Sequence, residues 1–171
     1  MRPLKPKDLV TLLRIATWEQ ESWTFEQLGE ALEMSTSQVY YSLERAELAH
    51  LFNRTRRRVN RRDLVEFVSH GVRYAFAASP GALTRGVPTA STAPALAKLL
   101  VSTENSPGFV WPDPAGQARG QAVPPLSDAV ATLAQQDAQI YYLLALIDVI
   151  RIGSAREHQV AIKAFREEFL G

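Results

Sequence analysis

Two capping boxes, one short helix apart, constrain this chain most. Thr24 precedes Gln27 by three residues, and Ser35 precedes Gln38 by the same interval. At that spacing each hydroxyl caps an amide while the glutamine reaches back to the capping residue's own amide, so each pair marks a helix start. After the first box, Phe25, Leu28, Ala31 and Leu32 form one apolar face; after the second, Val39, Leu43 and Ala46 do. Only Glu33 and Met34 stand between the two patterns. Two short helices must therefore meet at a tight turn, and the second must bury one face and offer the other.

A helix over 6–18 precedes them. Leu9, Leu12, Leu13 and Ala16 share one face, Pro6 suits the first helical position, and Asp8 lies in the first turn. Asn60 is placed to cap a fourth helix, with Leu64, Phe67 and Val68 inward, ending at Gly71. "VRYAFAA" (72–78) alternates and reads as a strand. Ser79, Pro80 and Gly81 offer turn chemistry, and a return strand over 83–87 would complete a hairpin. Residues 88–108 hold one expected helix at 94–101 and a loop, "STENSPG", at 102–108. A second hairpin is expected to turn at 113–116. Three helical segments follow, over 128–134, 137–152 and 154–170, with Asp137 as a cap and Ser154 with Glu157 as a further capping box. The middle one is apolar nearly all round, as a helix buried in a core or against a second chain would be. The expected class is α+β, mainly helical. An N-terminal winged-helix-like domain (1–78) is followed by a companion region of hairpins and C-terminal helices (79–171), which serves dimerisation or partner binding.

Net charge is only +1, yet six arginines lie between Arg54 and Arg62, with no acidic residue before Asp63. Residues 1–74 carry 12 Lys/Arg against 10 Asp/Glu, and residues 75–171 carry 7 against 8. The basic charge is local, and a local patch is the relevant footprint for phosphate binding. Cations at a helix N-terminus oppose its dipole unless an anion is present, and a phosphate backbone supplies one. A solvated basic loop is the plain alternative.

The outer face of the second capped helix presents Thr36, Ser37, Gln38, Tyr40, Tyr41 and Arg45. All can hydrogen-bond to base edges or phosphates. Its first turn is where a recognition helix meets bases. The helix has few large apolar residues, so at least one of the two tyrosines is expected to be buried. Here "LGEALEMSTSQVYYSLERAELAHLF" resembles the helix–turn–helix of bacterial winged-helix transcriptional regulators of the MarR-like kind. Leu28, Gly29, Leu32, Met34, Ser35, Ser37, Val39 and Leu43 fall at that pattern's hydrophobic and small positions, over about residues 7–76. "GALTRGVPTA", "VWPDPAGQARGQAVPPL" and "LLALIDVIRIGSARE" resemble stretches of uncharacterised bacterial proteins with such an N-terminal domain. The regulator resemblance implies a transcriptional repressor that binds double-stranded DNA in a sequence-specific way as a homodimer. Ser37, Gln38 and Tyr41 would meet bases. Arg45, Arg54, Arg56, Arg57 and Arg58 would meet phosphates, with Arg61 and Arg62 in support. Two departures stand out. His50 occupies a position where such regulators often carry glycine. The arginine run and a fourth helix also intervene where a wing is expected, so the wing is either the 72–87 hairpin, with Arg73 and Arg85, or something outside the standard plan, with the arginine run as a phosphate-contacting segment that replaces or supplements it.

Other classes find little support. There is no cysteine, which excludes disulfides and thiolate metal sites and suits a reducing cytoplasm. His50, His70 and His158 show no metal-ligand spacing. Phosphate-binding glycine motifs and a nucleophile elbow are absent from the sequence. No enzyme, metal or cofactor is expected, and no signal peptide or membrane span. The rival to the regulator is a protein-binding adaptor or antitoxin-like component whose C-terminal half holds a protein partner.

Overall fold

The computed structural model describes residues 2–18, 22–101 and 105–171. The chain is α+β and mainly helical. Helix α1 (Pro6–Thr17), α2 (Phe25–Leu32) and α3 (Thr36–Leu48) come first, followed by a small antiparallel hairpin of β1 (Phe52–Asn53) and β2 (Arg58–Val59). Then come α4 (Arg61–His70) and α5 (Val72–Ala75). Three strands, β3 (Leu83–Pro88), β4 (Phe109–Pro112) and β5 (Ala118–Ala122), close into a small barrel, with two 3₁₀ turns (Ala90–Thr92 and Pro94–Leu96) between β3 and β4. Helices α6 (Val130–Gln136), α7 (Ala138–Ile152) and α8 (Ala155–Leu170) complete the fold. No helix of the described residues is long and apolar enough to cross a membrane.

The capping boxes at Thr24/Gln27, Ser35/Gln38 and Ser154/Glu157 all form, and Asp137 caps α7 through the amides of Gln139 and Ile140. Asn60 stands at the N-cap of α4 without capping it, because its side-chain amide donates to the His50 carbonyl at 2.6 Å. Buried apolar residues form one continuous core that runs from Leu9, Leu12 and Leu13 of α1 to Phe165 and Phe169 of α8. It joins both sides of the 78/79 boundary. Helix α7 runs through it, with Ile140, Leu143, Leu144 and Ile147 all buried, so this apolar helix is covered by its own chain. Each such side chain stabilises the fold by about 1.5–3 kcal/mol.

Four expectations are corrected. Residues 72–75 are helical, not a strand. Val72 and Phe76 are buried and satisfy both a two-residue and a helical period; Tyr74 decides between them, and it is 79% exposed. Consequently no hairpin spans 72–87: the Gly81 amide bonds to Ala122, and β3 pairs with β4 and β5. The turn at 113–116 forms, but β4 and β5 run parallel, each antiparallel to β3, so they are no hairpin. Gly86 lies opposite both Pro112 and Ala118, and a Cβ there would collide with the Trp111 carbonyl. The helix expected at 94–101 shrinks to the Pro94–Leu96 turn. Within the 102–108 loop, residues 102–104 lie outside the described residues.

Two buried charge clusters tie the elements together. Asp8 accepts from the Lys5 amide (2.7 Å), the Ser42 hydroxyl (2.7 Å) and Arg45 bidentately (2.8 Å twice), which joins α1 to α3. Asp148 on α7 accepts from Thr89, Trp111 and Arg151. Arg151 also donates to the carbonyls of Phe76 and Pro124, so α7 is pinned to the barrel and to the end of α5. Burial pushes the Asp148 carboxyl up, against the opposing pull of Arg151 and its hydrogen-bond donors.

Two predictions follow from these contacts. Asp8→Ala leaves the Arg45 guanidinium buried without its partner and lowers stability by about 3–5 kcal/mol in chemical denaturation. The pair Asp8→Leu with Arg45→Met recovers most of that loss. The second concerns Asp137, which pairs with Arg14 at 2.9 Å. Burial raises its pKa, but the amides of Ile140 and Gln139 and the Arg14 charge together hold it below its ordinary value. A depressed carboxylate stabilises the fold above its unfolded pKa, and that contribution disappears as pH falls through the folded value. Asp137→Asn keeps the capping oxygen and loses the ion pair, costing about 1 kcal/mol at neutral pH. The deficit narrows below about pH 4.

Candidate nucleic-acid interface

The turn between α2 and α3 is tight because Glu33 adopts a left-handed conformation (φ 56°) and the Met34 amide returns to the Gly29 carbonyl at 2.8 Å. A Cβ at position 29 would strike the Met34 carbonyl, so this turn requires glycine there. The Ser35/Gln38 box then launches α3. Val39, Leu43 and Ala46 face inward with Ser42 and Arg45. Thr36, Ser37, Gln38, Tyr40 and Tyr41 face solvent.

Arg45 is therefore corrected: it is buried against Asp8, not offered to a phosphate. Its hydrogen bonds to Asp8 hold the guanidinium above its ordinary pKa, with burial opposing. The tyrosines are corrected too. Both are 41% exposed, because the polar Ser42–Arg45 pair occupies the inward positions that a ring was expected to fill. Their rings meet edge to face at 5.5 Å. Gln38 is exposed, but its Oε1 accepts from the Ser35 amide at 2.9 Å. Its Nε2 has no hydrogen-bond partner among the described residues, so a bidentate pair with adenine requires the cap to open.

Arg54, Arg56, Arg57 and Arg58 of the arginine run lie in the β1–β2 hairpin directly after α3, and Arg61 and Arg62 open α4. Helix α3 ends with His50 in the left-handed region (φ 64°), where the Leu51 amide bonds to Ala46 and the His50 amide to Glu47. The histidine thus adopts the conformation for which glycine was expected. Phe52 pairs with Val59 and Asn53 with Arg58. At the hairpin's tip Asn53 Oδ1 accepts from the Arg56 amide, and Arg57 takes a left-handed conformation (φ 52°).

The six arginines divide by what they touch. Arg57 lies 4.1 Å over the Trp23 ring and donates to the Trp23 carbonyl at 2.6 Å. Arg61 donates to the carbonyls of Ala16 (2.6 Å) and Phe169 (2.9 Å). These two hold the protein together. Arg54 reaches back to α3, 3.4 Å from Glu47 and 5.1 Å over the Tyr40 ring. The side chains of Arg56, Arg58 and Arg62 are exposed and meet no carboxylate among the described residues. The hairpin tip and the outer face of α3 are thus neighbours. Arg73 instead lies on α5 beside His158 (3.4 Å), and Arg85 on β3 opposite Arg119, neither of them on this hairpin.

Two contributors escaped the sequence reading. Arg2 lies 4.7 Å over Tyr41, and Trp23 is the shelf beneath Arg57. For Trp23 a signal existed: an apolar residue just before the Thr24 cap, with Leu28 at the fourth helical position, is a hydrophobic staple.

Gln38→Ala removes the acceptor for the Ser35 amide and lowers stability by about 0.5–1 kcal/mol in thermal unfolding. Gln38→Glu keeps the acceptor, adds a favourable charge at the start of α3, and leaves the midpoint unchanged or higher. The chain matches no protein-family model, no curated protein and no solved structure.

Proposed function

We propose that the protein is a sequence-specific double-stranded DNA-binding regulator of transcription, a repressor, whose N-terminal region works as a winged helix of the MarR-like kind. One observation carries this reading. The exposed, hydrogen-bonding first turns of α3 stand beside a hairpin carrying arginines that no described carboxylate neutralises. A recognition helix with a basic wing has this composition. In this reading α3 enters the major groove, with Thr36, Ser37, Tyr40, Tyr41 and the Gln38 Nε2 toward base edges. Arg54, Arg56, Arg58 and Arg62 take phosphates. Arg45, Arg57 and Arg61 position these groups from behind. The β1–β2 hairpin serves as the wing. A two-fold homodimer doubles the contact on a palindromic site, and it uses a surface other than α7.

The adaptor or antitoxin-like reading draws on a different feature of α3. Tyr40, Tyr41 and Leu48 are large, apolar and exposed on it, as in a helix that meets a protein partner. It expects tight association with another protein and little duplex affinity.

A salt-titrated binding assay against the DNA upstream of the protein's own gene, with unrelated duplex as control, separates the two. The regulator prefers the upstream duplex. Arg56→Gln with Arg58→Gln weakens binding to every duplex and reduces the salt slope by about 2, since each phosphate contact contributes about 0.9. Gln38→Glu, folded as well as wild type, loses duplex affinity through charge repulsion. Equal weak binding to both duplexes, or a salt slope unmoved by the double variant, removes the regulator reading.

A further inference from the structure

Behind the hairpin a cleft of about 810 Å³ opens between the C-terminal end of α1 and the first turn of α4. Five arginines line it, at positions 56, 57, 58, 61 and 62, against one acid among the described residues, Asp63. Arg57 and Arg61 are held by backbone carbonyls and form its walls. Arg56, Arg58 and Arg62 meet no carboxylate among the described residues. The ten-residue helix α4 begins at the cleft with no side-chain cap, because Asn60, which holds the capping position, is turned to His50. At one edge stands the half-buried Trp18 indole, with the Arg14 guanidinium 5.5 Å over its ring. Cationic, concave and edged by an aromatic plane, the cleft has the volume of a small-ligand pocket.

We propose that this cleft binds a nucleoside polyphosphate. Its phosphates lie among Arg56, Arg58, Arg62 and the uncapped end of α4, which combines guanidinium donors with the favourable pole of a helix. Its base packs against Trp18. A polyphosphate carries several charges in a compact group, which suits three cations gathered in a concavity. Duplex phosphates lie along a convex ridge and suit the outer face of the hairpin. Arg56, Arg58 and Arg62 are also the cations assigned above to the DNA backbone. The nucleotide therefore lowers duplex affinity, and duplex lowers nucleotide affinity by the same factor. This antagonism rests on the DNA-binding reading; the binding of nucleotide does not.

The test uses the full chain without DNA. ATP and inorganic pyrophosphate are titrated at fixed ionic strength by calorimetry, and ATP also by tryptophan fluorescence. Both bind saturably with dissociation constants below about 1 mM, ATP the more tightly. Arg58→Gln with Arg62→Gln weakens both by about tenfold or more. Arg119→Gln, on the barrel outside the cleft, binds as wild type does. Should the double variant not fold, Arg62→Gln alone carries the same comparison. Absence of saturable binding, or equal binding by wild type and the cleft variants, overturns the proposal. Equal affinity for ATP and pyrophosphate overturns the role of Trp18. Repeating the titration with duplex present separates the two readings. A protein that binds upstream duplex but no ATP keeps the DNA reading and loses the cleft; one that binds ATP but no duplex does the reverse.

Discussion

The bidentate pair between Asp8 and Arg45 determines which face of α3 meets solvent. Burying two charges is expensive unless their hydrogen-bonding capacity is met. Here the carboxylate is satisfied from four directions: the Lys5 amide, the Ser42 hydroxyl and two guanidinium nitrogens. Such a cluster closes in one geometry only. Apolar packing alone would hold α3 loosely, because Val39, Leu43 and Ala46 are small or few. The polar pair supplies the missing rotational register. With Ser42 and Arg45 turned inward, Tyr40 and Tyr41 are forced outward, and Arg54 finds a ring and a carboxylate on which to dock.

The C-terminal half acts on the same surface from behind. Asp148 and Arg151 lock α7 to the barrel and to the end of α5. Helix α8 packs on α7 and brings the Phe169 carbonyl to Arg61, while the end of α1 brings Ala16. The start of α4, and with it one wall of the arginine cleft, is thereby held by the first and last helices of the chain. The region beyond residue 78 is part of the scaffold that presents the basic surface, and its core is continuous with that of α1–α3.

What the sequence made legible were features with local causes. Each capping box depends on two side chains three residues apart, and each forms. Apolar periodicity located the long helices for the same reason. Features with distant causes were misread. A hydrophobic wheel places Arg45 outside, because nothing within α3 announces an acid on α1; Asp8 read as a first-turn residue when it was also a partner. At 72–78, Val72 and Phe76 fit two periods, and only burial separates them. The 113–116 turn was visible, but β3 pairs with both strands it joins, and that long-range pairing sets β4 and β5 parallel.

The arginine run shows why composition alone misleads about a charged segment. Uniform repulsion among six cations would splay a loop of this length. The hairpin forms because individual arginines are not left as bare charges. Arg57 accepts a left-handed backbone, an unfavourable conformation for a residue with a long side chain, and gains an indole face and a carbonyl. Arg61 gains two carbonyls, and Arg54 a carboxylate and a ring. Of the remaining three, Arg56 and Arg58 stay on the hairpin and Arg62 on the first turn of α4, and none of them meets a carboxylate among the described residues. In the proposed DNA-binding reading it is Arg56, Arg58 and Arg62 that take phosphate, and affinity for duplex then follows ionic strength more steeply than the stability of the fold does.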